Sequence, residues 1–323
     1  MPFYHLRPNK FVDRRLFVNV LDGLSSTLTL PISTYQYIGF GSYLFDDFKL
    51  MHDTLSISSM ISLEADQNTF KRAEFNCPYK CISLVNQKST DFIAEFDPGE
   101  GHYIYWLDYT SPDEIGQQFC DFASLLNKGN LYDIIKITLN AHAPSLNGSN
   151  QDQSTLHADR LNTLKERIDE KYLPISISAE DMTSKKYPLT LFACLKKLID
   201  TTLTPSKYDK RFFYPLLAIV YQDGQTMLTL TGIILSDDTL KPSLDDIIKR
   251  IGLIPFDWGK PAVINIPELS MQEIIALNKL LPHENARNTI IKNFPFFFNE
   301  PENQAESYVQ FYKFYPNFQS IEL

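Results

Sequence analysis

Two hydrophobic periods alternate along the first 140 residues. Residues 11, 16, 17, 20 and 21 are apolar at close to the helical period and predict a helix over about 10–24. Short β-branched and aromatic runs predict strands at 34–38, 60–63, 81–85, 103–107 and 133–139, with helices at about 44–55, 69–76 and 112–127 between them. Because strand and helix alternate, we predict an α/β fold with a mostly parallel sheet and helices on both faces.

The pattern changes after residue 140. A polar stretch at about 145–160 predicts a loop, followed by helices at about 157–171 and 189–203. The strand-like runs 212–221 and 226–235 flank Asp223-Gly224, a pair that tight hairpin turns prefer, so an antiparallel hairpin is expected to close the sheet. Further helices are predicted at 244–251 and 270–281, with a short strand at 263–265.

This pattern predicts three parts. They are an N-terminal helical segment (1–30), an α/β domain (31–240, with an insertion at about 145–187) and a C-terminal helical extension (241–323) that could contact a protein partner.

Composition narrows the function classes. An apolar content of 44% with 13% aromatic residues supports a large packed core. A net charge of -9 makes binding of nucleic acid over the whole surface unfavourable without excluding nucleic acid as a partner. A local basic site remains an alternative, and its candidate is the cluster Arg7, Lys10, Arg14 and Arg15. With no membrane-span-length apolar run and no signal-peptide pattern, we expect a cytoplasmic protein without membrane contact. The spacing of its four cysteines and six histidines predicts no metal site.

Polar and glycine residues follow the predicted strands. Gly39-Phe40-Gly41-Ser42 comes after the first strand, and Glu64 ends the second. Glycines let a backbone approach a ligand closely, and an acid in this place can accept the hydroxyl hydrogens of a ribose. The pattern predicts a nucleoside pocket, whereas the alternative is an ordinary turn with a solvated carboxylate.

Two acids follow the third and fourth strands. Asp91 could accept a hydrogen bond from the amino group of an adenine while Phe92 contacts the face of the adenine ring. The alternative is that Asp91 caps a turn. Asp108-Tyr109-Thr110-Ser111-Pro112 lies where open α/β sheets have their reactive crevice, although Asp108 could instead cap the next helix with Ser111. Lys136 and Asn140 could face the same pocket. The simpler interpretation of Lys136 is a side chain at a sheet edge or at a strand end.

These features together resemble the class I S-adenosylmethionine-dependent methyltransferases. More narrowly, the chain resembles the bacterial family named "putative O-methyltransferase". The resemblance is close over residues 4 to 143 and looser beyond, and its motifs are Leu6 to Arg14, Tyr37 to Gly41, Asp47-Phe48, Ile61 to Glu64, Phe75-Asn76, Trp106 to Thr110 and Ile137 to Ala141. The first glycine has no acid directly before it, and Ser42 stands where many methyltransferases have a third glycine.

The resemblance implies S-adenosylmethionine as cofactor and an unidentified methyl acceptor, methylated on oxygen or nitrogen. It implies a role in cofactor binding for the N-terminal residues Arg7 and Lys10 and for the strand-end residues Gly39, Gly41, Ser42, Glu64, Asp91 and Phe92. Asp108 and Tyr109 become the candidate catalytic residues, Asp108 to orient the acceptor or take its proton.

Two other functions stay open from the sequence. A catalytically silent protein could bind the same nucleoside and contact a partner. A nicotinamide-dependent oxidoreductase would share Gly39, Gly41 and Glu64, but its sheet usually stays parallel and would lack the closing hairpin.

Overall fold

The computed structural model describes residues 7–148 and 154–316. Its centre is one eight-stranded sheet in the order β3-β2-β1-β4-β5-β7-β6-β8. The strands are β1 (Gln36–Gly39), β2 (Ser59–Leu63), β3 (Ile82–Val85), β4 (Tyr103–Asp108), β5 (Ile134–Asn140), β6 (Phe212–Asp223), β7 (Gln225–Leu235) and β8 (Ala262–Ile264). The first five strands pair in parallel, and β7 is antiparallel to both β5 and β6.

Helices cover both faces of this sheet. They are α1 (Pro8–Leu28), α2 (Asp46–Leu55), α3 (Gln67–Asn76), α4 (Ser89–Glu95), α5 (Ile115–Lys128), α6 (Leu156–Arg167), α7 (Tyr187–Thr202), α8 (Lys241–Arg250), α9 (Met271–Asn278), α10 (Ala286–Asn293) and α11 (Pro301–Phe311). The mostly parallel α/β architecture with a terminal antiparallel hairpin confirms the predicted fold class.

The closing hairpin forms at the predicted turn. Asp223 pairs with Gln225 across Gly224, whose φ of +100° is one that side-chain-bearing residues rarely adopt. The short strand β8 then pairs in parallel with β6 and forms the sheet edge. The hairpin places Asp223 at the N-terminus of α1. There the Asp223 carboxylate accepts hydrogen bonds from the backbone N–H groups of Asn9 (3.2 Å) and Lys10 (2.8 Å).

Two apolar cores lie on opposite faces of the sheet. One packs α1, α2 and α8 against the first face, with Phe17 edge-on to Trp106 at 5.4 Å between ring centroids. The other packs α5 and α7 against the second face through residues such as Phe119 and Leu195. A smaller cluster around Leu277, Ile290 and Tyr308 joins α9, α10 and α11.

Several elements differ from the sequence prediction. Helix α4 contains Asp91 and Phe92, in a segment where we predicted no helix, because seven residues are too few to show a helical period. Helices α10 and α11 were also missed. Part of the predicted loop at 145–160, residues 149–153, lies outside the described residues, and α6 begins within that range at Leu156. The domain boundaries at residues 30 and 240 stay predictions.

Candidate active site

The carboxyl ends of the parallel strands meet at one edge of the sheet. The strand register pairs Gly39 of β1 with Trp106 of β4, and Asp108 of β4 with Thr138 of β5. The glycine turn therefore lies beside the Asp108 motif, and Glu64 leaves β2 next to them. These three motifs come together at the switch in strand order, since the chain crosses from β3 back to β4 on the other side of β1.

The glycine turn is packed tightly against the sheet. The N–H of Gly41 donates to the hydroxyl of Ser62 at 3.1 Å, and a Cβ at residue 41 would lie 2.6 Å from that oxygen. A Cβ at residue 39 would lie 2.8 Å from the Tyr37 hydroxyl. Ser42 follows with a φ of +51°, so the chain turns sharply there without the glycine common in related motifs. A Cβ at residue 39 or 41 would therefore force a neighbouring side chain to move.

Phe40 and Tyr109 connect the glycine turn to the Asp108 motif. Their ring centroids are 5.4 Å apart in an edge-on arrangement. The Tyr109 hydroxyl donates to the buried carboxylate of Asp121 at 2.6 Å. Burial, with Asp121 nearby, raises the pKa of Tyr109 well above its ordinary value. Tyr109 therefore presents its ring to Phe40, while its hydroxyl is committed to α5.

The three predicted ribose and adenine ligands lie around the same edge. Glu64 is half-buried directly after β2, and its Oε1 accepts a hydrogen bond from the N–H of Asp66 at 3.0 Å. Asp91 is exposed in the first turn of α4, where the helix dipole stabilises an acidic side chain. Phe92 is half-buried and stacks on Phe96 at 5.1 Å between centroids. Of these three, Glu64 follows β2, the strand that pairs directly with β1.

Asp108 is the most unusual group at this edge. Lys10 of α1 forms an ion pair with its Oδ2. Its Oδ1 is buried, and no hydrogen-bond donor among residues 7–148 and 154–316 contacts it. Burial would raise the pKa of Asp108, but Lys10, with Arg14 and Lys136, lowers it below the ordinary value. The site thus contains an ionised carboxylate with one buried oxygen that has no hydrogen-bond donor.

Arg14, one turn beyond Lys10, extends the charged network. Its guanidinium pairs with Asp47 and lies 3.7 Å from Asp46. Burial alone would lower the pKa of Arg14, but Asp47, Asp46 and Asp108 raise it. Burial raises the pKa of Asp47 despite Arg14 and Lys10 nearby. The sequence did not indicate this pairing, which depends on where α1 docks.

Lys136 corrects the sequence interpretation. It lies within β5 in the sheet interior, with a fully buried side chain whose Nζ donates to Asp13 at 2.7 Å. The ammonium is 4.1 Å from the ring centroid of Trp106. Burial lowers its pKa, although Asp13 opposes this. A lysine in a central strand with its own buried carboxylate is a core element rather than an edge side chain.

The N-terminal residues are anchored to the C-terminal half of the chain. Asn9 donates to the backbone oxygen of Gln222 at 3.0 Å and to Asp223 at 2.9 Å, and accepts from the N–H of Ile266 at 2.9 Å. Arg7 lies directly before α1. Asn140, at the end of β5, donates to Gln225 at 2.6 Å. Lys10 is therefore brought to the strand ends by a fixed helix, with Asn9 and Asn140 bound to the hairpin.

Two kinds of feature are absent from residues 7–148 and 154–316. No group of three or more His, Cys, Asp or Glu side chains there could hold a metal ion. No helix there is long and apolar enough to cross a membrane.

A family model described as "Putative O-methyltransferase" matches residues 2–323. The chain therefore belongs to this family, which confirms the resemblance inferred from the sequence and the prediction of a methyltransferase with an unspecified acceptor. No curated protein matches the chain.

Solved structures with a similar arrangement are distant. Trm1 from Pyrococcus horikoshii, determined with S-adenosyl-L-methionine, has a TM-score of 0.45 and 9% identity, over 89% of this chain and 76% of that one. The N-methyltransferase NodS from Bradyrhizobium japonicum has a TM-score of 0.38 and 8% identity, over 71% of this chain and 99% of that one. The plantazolicin methyltransferase BpumL, in complex with SAH, has a TM-score of 0.39 and 10% identity, over 69% and 84%.

Proposed function

We propose that the crevice at the ends of β1, β2 and β4 binds S-adenosylmethionine and that the protein transfers its methyl group to an acceptor held by Asp108. The observation that carries this is the buried, unpartnered Oδ1 of Asp108 beside the packed glycine turn. When bound, the cofactor supplies an electrophilic methyl group on a sulfonium. Family membership and the antiparallel hairpin support this cofactor over a nicotinamide dinucleotide.

The residues of the crevice suit the parts of this cofactor. Glu64 offers a carboxylate to the ribose hydroxyls, and the rings of Phe40, Phe92 and Tyr109 offer apolar surface near the adenine. Gly39, Gly41 and Ser42 would lie beneath the methionine part, with Asp91 near the adenine amino group. Arg7 and Lys10 are retained as candidate ligands of the methionine carboxylate, although Lys10 is paired with Asp108 in this structure.

The lowered pKa of Asp108 determines its role in this proposal. An ionised carboxylate with a low pKa accepts a hydrogen bond well but takes up a proton poorly. Asp108 therefore orients the O–H or N–H of the acceptor toward the methyl group, and positioning supplies most of the rate. The acceptor proton passes to solvent as the new bond forms.

A second function is favoured by one observation. Both predicted catalytic side chains have partners inside the protein, Asp108 with Lys10 and Tyr109 with Asp121. A protein that binds the cofactor without transferring its methyl group would show the same arrangement. The cytoplasmic location and bacterial origin expected from the sequence stay predictions, as does a protein partner at the C-terminal extension.

Calorimetry with S-adenosylmethionine and S-adenosylhomocysteine tests the cofactor. Glu64→Gln should weaken binding about tenfold, since a hydrogen bond to a charged group contributes about 1.5 to 3 kcal/mol. Glu74→Gln, on the exposed side of α3, is the matched control and should bind as the wild type does. No binding by the wild type would reject both functions.

Release of S-adenosylhomocysteine with pools of small-molecule, protein and RNA acceptors separates the two functions. Asp108→Asn should keep cofactor binding and lower turnover by about 100-fold or more. Cofactor binding without turnover on any pool would favour the silent protein.

A further inference from the structure

A second concave site lies outside the crevice. It is a cavity of about 600 Å³ between α1, the end of α8 and the turn 312–314 that follows α11. Its volume is in the range of small-molecule sites. None of its lining residues lies at a strand end, so it is separate from the site proposed for the cofactor.

Three cations from three separate elements line this cavity. They are Arg15 of α1, Arg250 in the last turn of α8 and Lys313. No acidic residue among the described parts of the chain lines the cavity, and no ion pair there joins these cations to a carboxylate. The dipole of α8 accounts for a cation at residue 250, but not for Arg15 and Lys313 beside it. Such a cluster in a chain of net charge -9 is complementary to a compact anion.

Aromatic rings complete the walls. Phe11, Phe314 and Tyr315 line the cavity with the cations. The Tyr315 ring is fixed because its hydroxyl donates to the backbone oxygen of Pro267 at 2.7 Å and accepts from the N–H of Leu269 at 3.0 Å. The Arg15 guanidinium lies 5.4 Å from the centre of the Phe11 ring, and Arg250 donates to the Thr27 hydroxyl at 3.2 Å. Part of the cavity is therefore pre-organised.

We propose that this cavity binds a nucleoside monophosphate, with the phosphate on Arg15, Arg250 and Lys313 and the base against the aromatic rings. Guanidinium groups match the geometry of phosphate oxygens, and bases stack on aromatic side chains. The site is distinct from the proposed cofactor site and does not depend on that function.

The test is calorimetry with AMP, GMP, CMP and UMP, each in the presence of saturating S-adenosylhomocysteine to occupy the crevice. Inorganic phosphate and the matching nucleosides are titrated separately, because each represents one half of the nucleoside monophosphate. At least one monophosphate should bind ten times or more tightly than either half, and its affinity should fall as salt rises.

The variant Arg15→Gln/Arg250→Gln/Lys313→Gln should weaken this binding at least tenfold. The control Lys71→Gln/Lys185→Gln/Lys292→Gln removes the same charge from exposed positions elsewhere and should leave it unchanged. All six side chains are exposed, so both variants should unfold at the wild-type temperature. The proposal is overturned if no monophosphate binds, if phosphate alone binds as tightly, or if both variants lose affinity equally.

Discussion

The two sides of α1 carry the same residue types in opposite circumstances. On the inner side, Lys10 and Arg14 are largely buried and each pairs with a carboxylate of the α/β sheet region. On the outer side, Arg15 is exposed, lines a cavity and has no ion pair among the described residues. Burial removes the option of solvation, so inner charges need fixed partners, whereas outer charges stay available to a ligand.

The largest effect is expected where a charge is wholly buried. Lys136→Met leaves Asp13 without its cation and should lower the free energy of unfolding by about 3 to 5 kcal/mol. Urea unfolding measures this. Asp13→Asn/Lys136→Met should regain more than half of the loss, because neither residue of this pair is then charged.

An exposed ion pair supplies the control for that experiment. Lys249→Met removes the partner of Asp246 on the surface of α8, where both side chains are more than half exposed. The expected change is below about 0.5 kcal/mol. Equal losses for Lys136→Met and Lys249→Met would remove the distinction between the two kinds of charge.

Substitution of two asparagines of α1 compares the anchored N-terminus of this helix with its outer side. Asn9→Ala leaves the buried N–H of Ile266 without its acceptor and should destabilise the protein by about 1 to 3 kcal/mol. Asn19→Ala removes only a hydrogen bond to the backbone oxygen of Arg15, and should change stability by less than about 0.5 kcal/mol since alanine favours helix. Thermal unfolding of both variants checks the order, and a larger loss for Asn19→Ala would contradict it.

Asp133 is a buried carboxylate that forms no ion pair with any cation of the described residues. It accepts from the N–H groups of Tyr103 and Asn130, and burial raises its pKa to about 7. The folded state therefore holds a proton that the unfolded state releases near pH 4, and the stability contributed by this group is lost as the pH rises from about 4 to about 7.

Asp133→Asn separates this effect from other titrations. The wild type should lose stability relative to the variant by at most about 1.4 kcal/mol per pH unit over that range. Urea unfolding at pH 5, 6, 7 and 8 measures the difference. A difference that stays constant with pH would mean that Asp133 does not titrate there.

The fold was predictable because its signals are local. Alternating strand and helix periods indicated the parallel sheet, and Asp223-Gly224 located the antiparallel turn. The helix predicted at 270–281 begins in a capping box, in which the side chains of Ser270 and Glu273 each accept from the other residue's N–H. The short helix α4 was missed because it lies between polar residues and shows no period of its own.

The candidate site was only partly predictable. The positions of Gly41, Glu64 and Asp108 follow from the ends of strands, which sequence patterns locate well. The network that tunes Asp108 does not, because Lys10, Arg14 and Lys136 are distant from it along the chain. Nothing near Lys136 in the sequence indicated that Asp13, 123 residues away, would partner it.

The sequence by itself therefore determined the order of the elements, the hairpin turn and the strand ends at which polar residues gather. Tertiary structure alone decided which charges are buried, because burial depends on where α1 docks, and Asp223 of the hairpin holds the first turn of that helix through two hydrogen bonds. Pairing then follows from desolvation: a buried charge is tolerated where an opposite charge lies within hydrogen-bond distance, and that distance is a property of the folded chain.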